Sequence, residues 1–135
     1  MSAPPLPLHE TKRDSLSNLT SAGISPILYE VNLSVPKENA RDYLSYLGTF
    51  CRNAVETVEG FTHCNVFTQP KPTGLHWLSE EGDAKVYVVV QYHIASEHHM
   101  NLYLDNYQDA LSKQDQNKWG FLVISRRILR LQVAI

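Results

Sequence analysis

The chain has 135 residues, of which 43% are hydrophobic and 19% charged, and its formal net charge is −2. This length suits one domain with a hydrophobic core that needs no disulfide or metal to hold it together. The near balance of 12 Lys+Arg against 14 Asp+Glu excludes the strongly basic surface that nucleic acids and anionic membranes attract. We therefore expect neither a nucleic acid nor a membrane as a partner.

The first part of the chain, residues 1–26, is predicted to be an extension that precedes a folded domain of residues 27–135. Three of the first seven residues are proline, which disfavours helix and strand, and a stretch rich in Ser, Asn and Thr follows. The N-terminus lacks the apolar segment of a signal peptide, and no apolar run reaches the length of a membrane span. Cys51 and Cys64 have no metal-type spacing, so we expect reduced thiols in a cytoplasmic protein.

The first predicted strand and helix follow this extension. Apolar residues alternate cleanly over residues 27–35, which indicates a half-buried strand. Pro36 ends this strand and suits the first position of a helix. Apolar residues then recur at three- and four-residue spacing as far as about Val58, which predicts an amphipathic helix that ends at Gly60.

The second predicted strand covers residues 61–68 and is followed by a long loop. Its even-numbered side chains are expected under the helix, and its odd-numbered side chains on the other sheet face: Phe61, His63, Asn65 and Phe67. Residues 69–84 contain prolines, glycines and acids, and form a loop much longer than a hairpin needs. Trp77 in this loop is a candidate for covering a binding site, although packing on the surface explains it equally well.

The third predicted strand, residues 85–94, is the strongest strand pattern in the chain. Val86, Val88, Val90, Tyr92 and Ile94 form one apolar face, and the opposite face carries Tyr87, Val89, Gln91 and His93. Ser96 is a natural N-cap for a second helix, which is expected to fade through residues 113–118. A last strand is predicted over residues 121–131.

This order of elements, βαββαβ, predicts a ferredoxin-like α+β fold. Two helices would cover one face of a four-stranded antiparallel sheet, with the first and third strands at its centre and parallel to each other. The other face would expose aromatic and polar residues together. Such a surface is too apolar for a monomer, so we expect a homodimer in which two sheets stack and enclose a cavity.

Five short motifs appear in order along these elements: Tyr29-Glu30-Val31, Gly60-Phe61, Gln91-Tyr92, Tyr103-Leu104 and Arg126-Arg127. Their order and spacing, over roughly residues 27–131, resemble a small family of proteins of unknown function in the dimeric α+β barrel superfamily. The resemblance implies sheet-to-sheet dimers and relatives that include cofactor-free monooxygenases, polyketide cyclases, muconolactone-isomerase-like enzymes and stress-responsive proteins. The N-terminal extension and the long loop depart from the family pattern.

The candidate site lies on the sheet face that the helices leave uncovered. We predict His93, His63 and Tyr87 as catalytic residues, because imidazole exchanges protons near neutral pH and a phenol can steady an enolate. The predicted ligand-binding residues are Gln91, Asn65, Glu30, Asn32 and Trp77. Two alternatives remain open: the first is that these residues form hydrogen bonds across a dimer interface, and the second is that Glu30 pairs with Arg126 or Arg127.

The leading functional hypothesis is a homodimeric protein that binds a small aromatic or polyketide-like molecule between sheet and helices. Cyclisation, isomerisation or oxygenation without a cofactor is the expected reaction if the protein is an enzyme. No metal is expected, since the adjacent His98 and His99 lack the spacing of metal ligands. The alternative is a non-catalytic assembly subunit that uses the sheet face and the N-terminal arm, and a haem or metal handler is a third possibility.

Overall fold

The structure is a computed structural model that describes residues 25–69 and 84–135. Most of the predicted extension and most of the long loop, including Trp77, lie outside the described residues. The elements follow in the order β1 Ile27–Pro36, a 3₁₀ turn Lys37–Asn39, α1 Ala40–Thr57, β2 Phe61–Gln69, β3 Lys85–Ile94, α2 Glu97–Asn106, α3 Gln108–Trp119 and β4 Val123–Arg130. None of the helices in these ranges is both long and apolar enough to cross a membrane.

The four strands form one antiparallel sheet in the order β2-β3-β1-β4. This confirms the predicted ferredoxin-like fold and the central position of β1 and β3. The predicted parallel direction of β1 and β3 is wrong, because their paired residues run antiparallel, from Ile27 opposite Ile94 to Pro36 opposite Lys85. Each crossover instead joins two strands of the same direction and leaves room for an antiparallel strand between them.

The helices pack on the sheet face that carries the apolar sides of β1 and β3, as predicted. Cys51 of α1 lies 3.6 Å from the hydroxyl of Tyr92, and the ring of Tyr103 in α2 lies 5.3 Å from that of Tyr29. The Tyr29 hydroxyl donates a 2.7 Å hydrogen bond to Gln108 of α3. The core therefore lies between this sheet face and the three helices.

The second helical region is longer than predicted. Ser96 caps α2 by accepting a hydrogen bond from the backbone N–H of His99, which confirms the predicted start. The chain departs from helical geometry at Tyr107 and then continues as α3 to Trp119. The helix therefore includes the polar residues 113–118, where the sequence predicts that it ends. Burial of Asp115 and packing of Trp119 against Tyr43, at 5.3 Å between rings, anchor this stretch.

A β-bulge at the start of β2 corrects the predicted position of Phe61. Phe61 pairs with Ile94, but the register then shifts, so that His63 rather than Thr62 lies opposite His93. Phe61 is therefore on the helix side, with its ring 5.1 Å from Tyr92 and 4.8 Å from Tyr103. From His63 onward the strand follows the predicted alternation.

Candidate functional site

The sheet face turned away from the helices, called the outer face below, holds most of the predicted site residues. The register arranges them in rows across the four strands. One row contains His63, His93, Leu28 and Leu129, and the next contains Asn65, Gln91, Glu30 and Arg127. The bulge at Thr62 places His63 in the first row, since without it His63 would lie on the helix side.

Glu30 is the centre of the second row. Its side chain is almost fully buried, at 3% exposure. It accepts hydrogen bonds from Gln91 Nε2 at 3.0 Å and from Asn32 Nδ2 at 3.2 Å, and Arg127 Nε donates to the same carboxylate. Burial raises the pKa of Glu30, but these hydrogen bonds and the Arg127 charge outweigh burial, so the pKa is lowered. Glu30 is thus a paired carboxylate, as the simpler sequence interpretation proposed, and stays ionised.

His93 lies in the first row and is 5% exposed. Its Nε2 lies 2.6 Å from Asn65 Oδ1, and its Nδ1 lies 3.2 Å from Ser25 Oγ. Because the Asn65 oxygen only accepts, the neutral ring carries its proton on Nε2 and accepts from the Ser25 hydroxyl on Nδ1. Burial, with a smaller effect of His63, lowers the pKa of His93, so the ring is held in its neutral form.

The other predicted catalytic residues stand at different distances from His93. The His63 ring lies 5.8 Å from the His93 ring, and its Nδ1 is 3.1 Å from Thr62 Oγ1. Tyr87 pairs with Ser34 and Gln69, six positions along β3 from His93, or about 20 Å on an extended strand. The structure therefore brings His93, His63 and Asn65 together and leaves Tyr87 apart.

A second candidate site lies between the sheet and the helices, where the leading hypothesis expected the ligand, but it is built from residues that were not foreseen from the sequence. This interlayer cavity has a volume of about 50 Å³. It is lined by Tyr29, Val31, Leu33, Tyr43, Leu47, Phe50, Val90, Tyr92, Tyr103, Leu111, Ser112, Asp115, Gln116, Val123 and Arg126. None of the residues predicted for the site is among them.

The polar groups of the interlayer cavity come from α1, α3 and β4. Asp115 is 8% exposed, and the Tyr43 hydroxyl lies 3.3 and 3.4 Å from its two carboxylate oxygens. Burial raises the pKa of Asp115, and the Tyr43 hydrogen bond and the Arg126 charge lower it. Burial has the larger effect, so the pKa of Asp115 is raised overall. Burial and the Asp115 charge likewise raise the pKa of Tyr43, so its hydroxyl remains a donor.

Arg126 marks the mouth of the cavity, because it lines the cavity and is exposed to solvent. Its Nη2 donates a 3.1 Å hydrogen bond to Ser112 Oγ of α3. A volume of about 50 Å³ exceeds the roughly 10–15 Å³ that a cavity needs to hold one water, but is well below the roughly 300–1,000 Å³ of pockets that enclose a whole ligand. The interior thus accepts a small polar group, and the rest of a larger ligand would lie at the mouth.

One sequence signal could have indicated Asp115. Tyr107, Leu111, Asp115 and Trp119 follow one another at four-residue spacing, which places the carboxylate on the buried stripe of the helical region. A charge in that position requires a partner, and Tyr43 supplies one from 72 residues away. The polar composition of residues 113–118 instead favoured a fading helix.

Among the described residues, no three His, Cys, Asp or Glu side chains are grouped so that they could hold a metal ion. His99 instead lies 3.3 Å from Glu59, and its Nδ1 lies 2.7 Å from Ser96 Oγ. These contacts hold His99 in the first turn of α2 against Glu59 and the N-cap Ser96.

Comparisons with protein-family models and with curated protein sequences find no match. Several solved structures are similar. A member of the ethyl tert-butyl ether D family from Bacillus halodurans has a TM-score of 0.55 and 12% identity, over 78% of this chain and 99% of that one. A candidate antibiotic biosynthesis monooxygenase from Bacteroides thetaiotaomicron has a TM-score of 0.47 and 12% identity, over 81% and 90%. A dimeric ferredoxin-like protein of unknown function from Jannaschia has a TM-score of 0.43 and 13% identity, over 79% and 99%. The first similarity shows the fold: the chain is a ferredoxin-like α+β protein.

Proposed function

We propose that the protein is a homodimer that binds a small hydroxylated aromatic or polyketide-like molecule at the interlayer cavity of each protomer. The observation that carries this proposal is the buried carboxylate of Asp115, which faces a cavity whose walls are largely apolar, with aromatic rings on several sides. Mostly apolar pockets with a few converging polar groups are typical of small-molecule sites. The protein similar in fold, from the ethyl tert-butyl ether D family, is compatible with this function but does not determine it.

The chemistry of the cavity selects the ligand class. A phenolic or enolic hydroxyl that enters the cavity can donate to the Asp115 carboxylate, and such charge-assisted hydrogen bonds are stronger than neutral ones. The Tyr43 hydroxyl is placed to donate to the same ligand oxygen or to hold Asp115 in position. At the mouth, the Arg126 guanidinium can stack on an aromatic ring or pair with an acidic substituent.

Asp115 is also the group in the cavity that is suited to accept a proton. Its raised pKa makes it a better base than an exposed aspartate once it is ionised. Proton removal from a hydroxyl or from carbon beside a carbonyl would begin the cyclisation, isomerisation or oxygenation expected for relatives of this fold. Ligand binding at the cavity is the main proposal, and catalysis by Asp115 is a second step that depends on it.

The outer face is the proposed dimer interface. Phe67 is 52% exposed there, and Val89 and Leu129 on the same face are only partly buried. The row from Asn65 to Arg127 has its hydrogen bonds satisfied within the protomer, so a second copy can cover it without leaving the buried carboxylate unpaired. Two stacked sheets would bury the apolar residues and form the barrel.

The test of binding uses 1-naphthol and 2-naphthoic acid as probes with the full chain. We expect both to perturb backbone amide NMR signals around Asp115 and Arg126, and Asp115→Asn to weaken naphthol binding about tenfold, the effect of about 1.4 kcal/mol. Tyr107→Phe is the matched control, because its hydroxyl does not line the cavity. Unchanged affinity in Asp115→Asn, with signals perturbed only on the outer face, would contradict the proposal.

The predicted roles of His93 and His63 are tested in the same assay. If the outer face held the reactive site, His93→Ala and His63→Ala would abolish binding or turnover while dimerisation persisted. Under the present proposal the two variants alter the dimerisation constant and leave naphthol affinity unchanged. Sedimentation velocity measures the first quantity, and the NMR titration measures the second.

A second candidate function, the assembly subunit, is favoured by one contact. Ser25, the first described residue, is 6% exposed and hydrogen-bonded to His93, so the chain is tied to the outer face where the extension ends. An arm at that position can contribute to association. Removing residues 1–24 would then abolish association, whereas an unchanged dimer would count against this function.

A further inference from the structure

The two cysteines of the chain meet at one surface groove, although they are distant in sequence. Cys51 lies on α1 and Cys64 on β2, and both line an open groove of about 440 Å³, called the thiol groove below. Cys64 pairs across the sheet with Tyr92, whose hydroxyl lies 3.6 Å from Cys51 Sγ. Neighbouring side chains on adjacent strands are about 5 Å apart, so Tyr92 and Cys64 lie together beneath Cys51.

The thiol groove is the route by which a small reagent would reach this pair, because Cys51 itself is only 4% exposed. Gly48 lies one helical turn before Cys51 and lines the same groove, and no heavy atom lies within 4 Å of where its Cβ would be. The absence of a side chain at Gly48 therefore keeps the groove open beside Cys51. Cys64 is itself half-buried, and both cysteines are free thiols.

The surroundings make the two thiols chemically different. Interaction with the neighbouring Cys64 thiol, and with the Tyr92 hydroxyl, lowers the pKa of Cys51 in spite of its burial. The proximity of Cys51, together with burial, raises the pKa of Cys64. Cys51 is thus the better thiolate, and Cys64 is its protonated neighbour.

We infer that Cys51 and Cys64 form a dithiol site that reacts with hydroperoxides entering through the thiol groove and closes to an intramolecular disulfide. The Cys51 thiolate attacks the distal peroxide oxygen, the O–O bond breaks, and the leaving oxygen takes a proton to become water or an alcohol. The Cys64 thiol then attacks the Cys51 sulfenic acid, forms the S–S bond and releases water. In total, two thiols lose two electrons and two protons, and one peroxide is reduced.

This reaction does not rest on ligand binding at the interlayer cavity, since the thiol groove and the cavity have no lining residue in common. Failure of one proposal leaves the other intact.

The first experiment treats the full chain with equimolar hydrogen peroxide and measures intact mass. We expect the loss of two hydrogen atoms, recovery on reduction with dithiothreitol, and no cross-linked species on a non-reducing gel. Because Cys51 and Cys64 are the only cysteines, the mass assigns the bond without ambiguity. A product oxidised without the loss of two hydrogens, or one linked between chains, would overturn the inference.

The second experiment compares single variants that preserve side-chain shape. Cys64→Ser should accumulate a Cys51 sulfenic acid that dimedone captures, and Cys51→Ser should leave Cys64 reacting more slowly than Cys51 reacts in Cys64→Ser, because burial still raises the pKa of Cys64 after Cys51 is replaced. In urea the difference between the two thiols should vanish, because their surroundings are lost. Equal rates in the two folded variants would refute the assigned roles.

Discussion

Phe61 and Phe67 lie on the same strand at odd-numbered positions, yet the structure predicts very different costs for their truncation. Phe61 is 5% exposed and packs against Tyr92 and Tyr103, whereas Phe67 is 52% exposed on the outer face. Regular alternation would place both side chains on one face. The bulge at Thr62 separates them, so the pair Phe61→Ala and Phe67→Ala tests the bulge directly.

The size of the effect follows from burial. Truncation of a buried phenylalanine costs about 3–5 kcal/mol, which includes the cavity that is left behind. Truncation of a half-exposed phenylalanine removes less contact, and we expect about 0.5–1 kcal/mol in the protomer. With a urea m-value of about 1.5 kcal/mol/M, Phe61→Ala should lower the unfolding midpoint by about 2–3 M and Phe67→Ala by less than about 0.7 M.

The proposed dimerisation provides a control for this comparison. Urea unfolding is followed by circular dichroism at several protein concentrations, because a dimer unfolds at a concentration-dependent midpoint. Phe61→Ala should lower the midpoint equally at every concentration, and Phe67→Ala should mainly weaken the concentration dependence. Equal midpoint losses for the two variants at low concentration would show that β2 alternates regularly and that Phe61 is not a core residue.

Three further predictions concern charge and backbone geometry. Because burial raises the pKa of Asp115 above its ordinary 3.8, the free energy of unfolding falls as pH rises through that raised pKa. Asp115→Asn should remove this pH dependence, and at pH 7 the variant should unfold at a higher urea concentration than wild type. The pKa of Glu30 is lowered from 4.5, so its stabilisation is complete above that pH and is lost as pH falls through the folded pKa. Glu30→Gln should cost about 1–3 kcal/mol at pH 7, and thermal unfolding should show the difference from wild type shrinking in acid. Gly60 has φ +88° and a Cβ there would overlap His99, so Gly60→Ala should cost about 1–3 kcal/mol. Gly48→Ala, in the open middle of α1, should instead stabilise by about 0.5–1 kcal/mol, and urea midpoints that shift in the same direction would contradict one of these two predictions.

Local patterns in the sequence were sufficient for the fold. The alternation in residues 27–35 and 85–94 predicted β1 and β3 and their buried faces, because a strand with one face in the core must repeat every two residues. The three- and four-residue spacing predicted α1, and Ser96 predicted the start of α2. Short-range periodicity and caps report directly on which side of an element is buried, so the element order βαββαβ followed from the sequence alone.

Only the tertiary structure decided which side chains meet. The bulge at Thr62, the direction of β1 against β3 and the burial of Asp115 each depend on partners far away in the chain, and so do the contacts of Tyr43 with Asp115 and of Cys51 with Tyr92. A polar residue in a helix looks the same in sequence whether it meets water or a tyrosine from another element. Packing selects between these outcomes, since a buried carboxylate or thiol is stable only where long-range partners satisfy it.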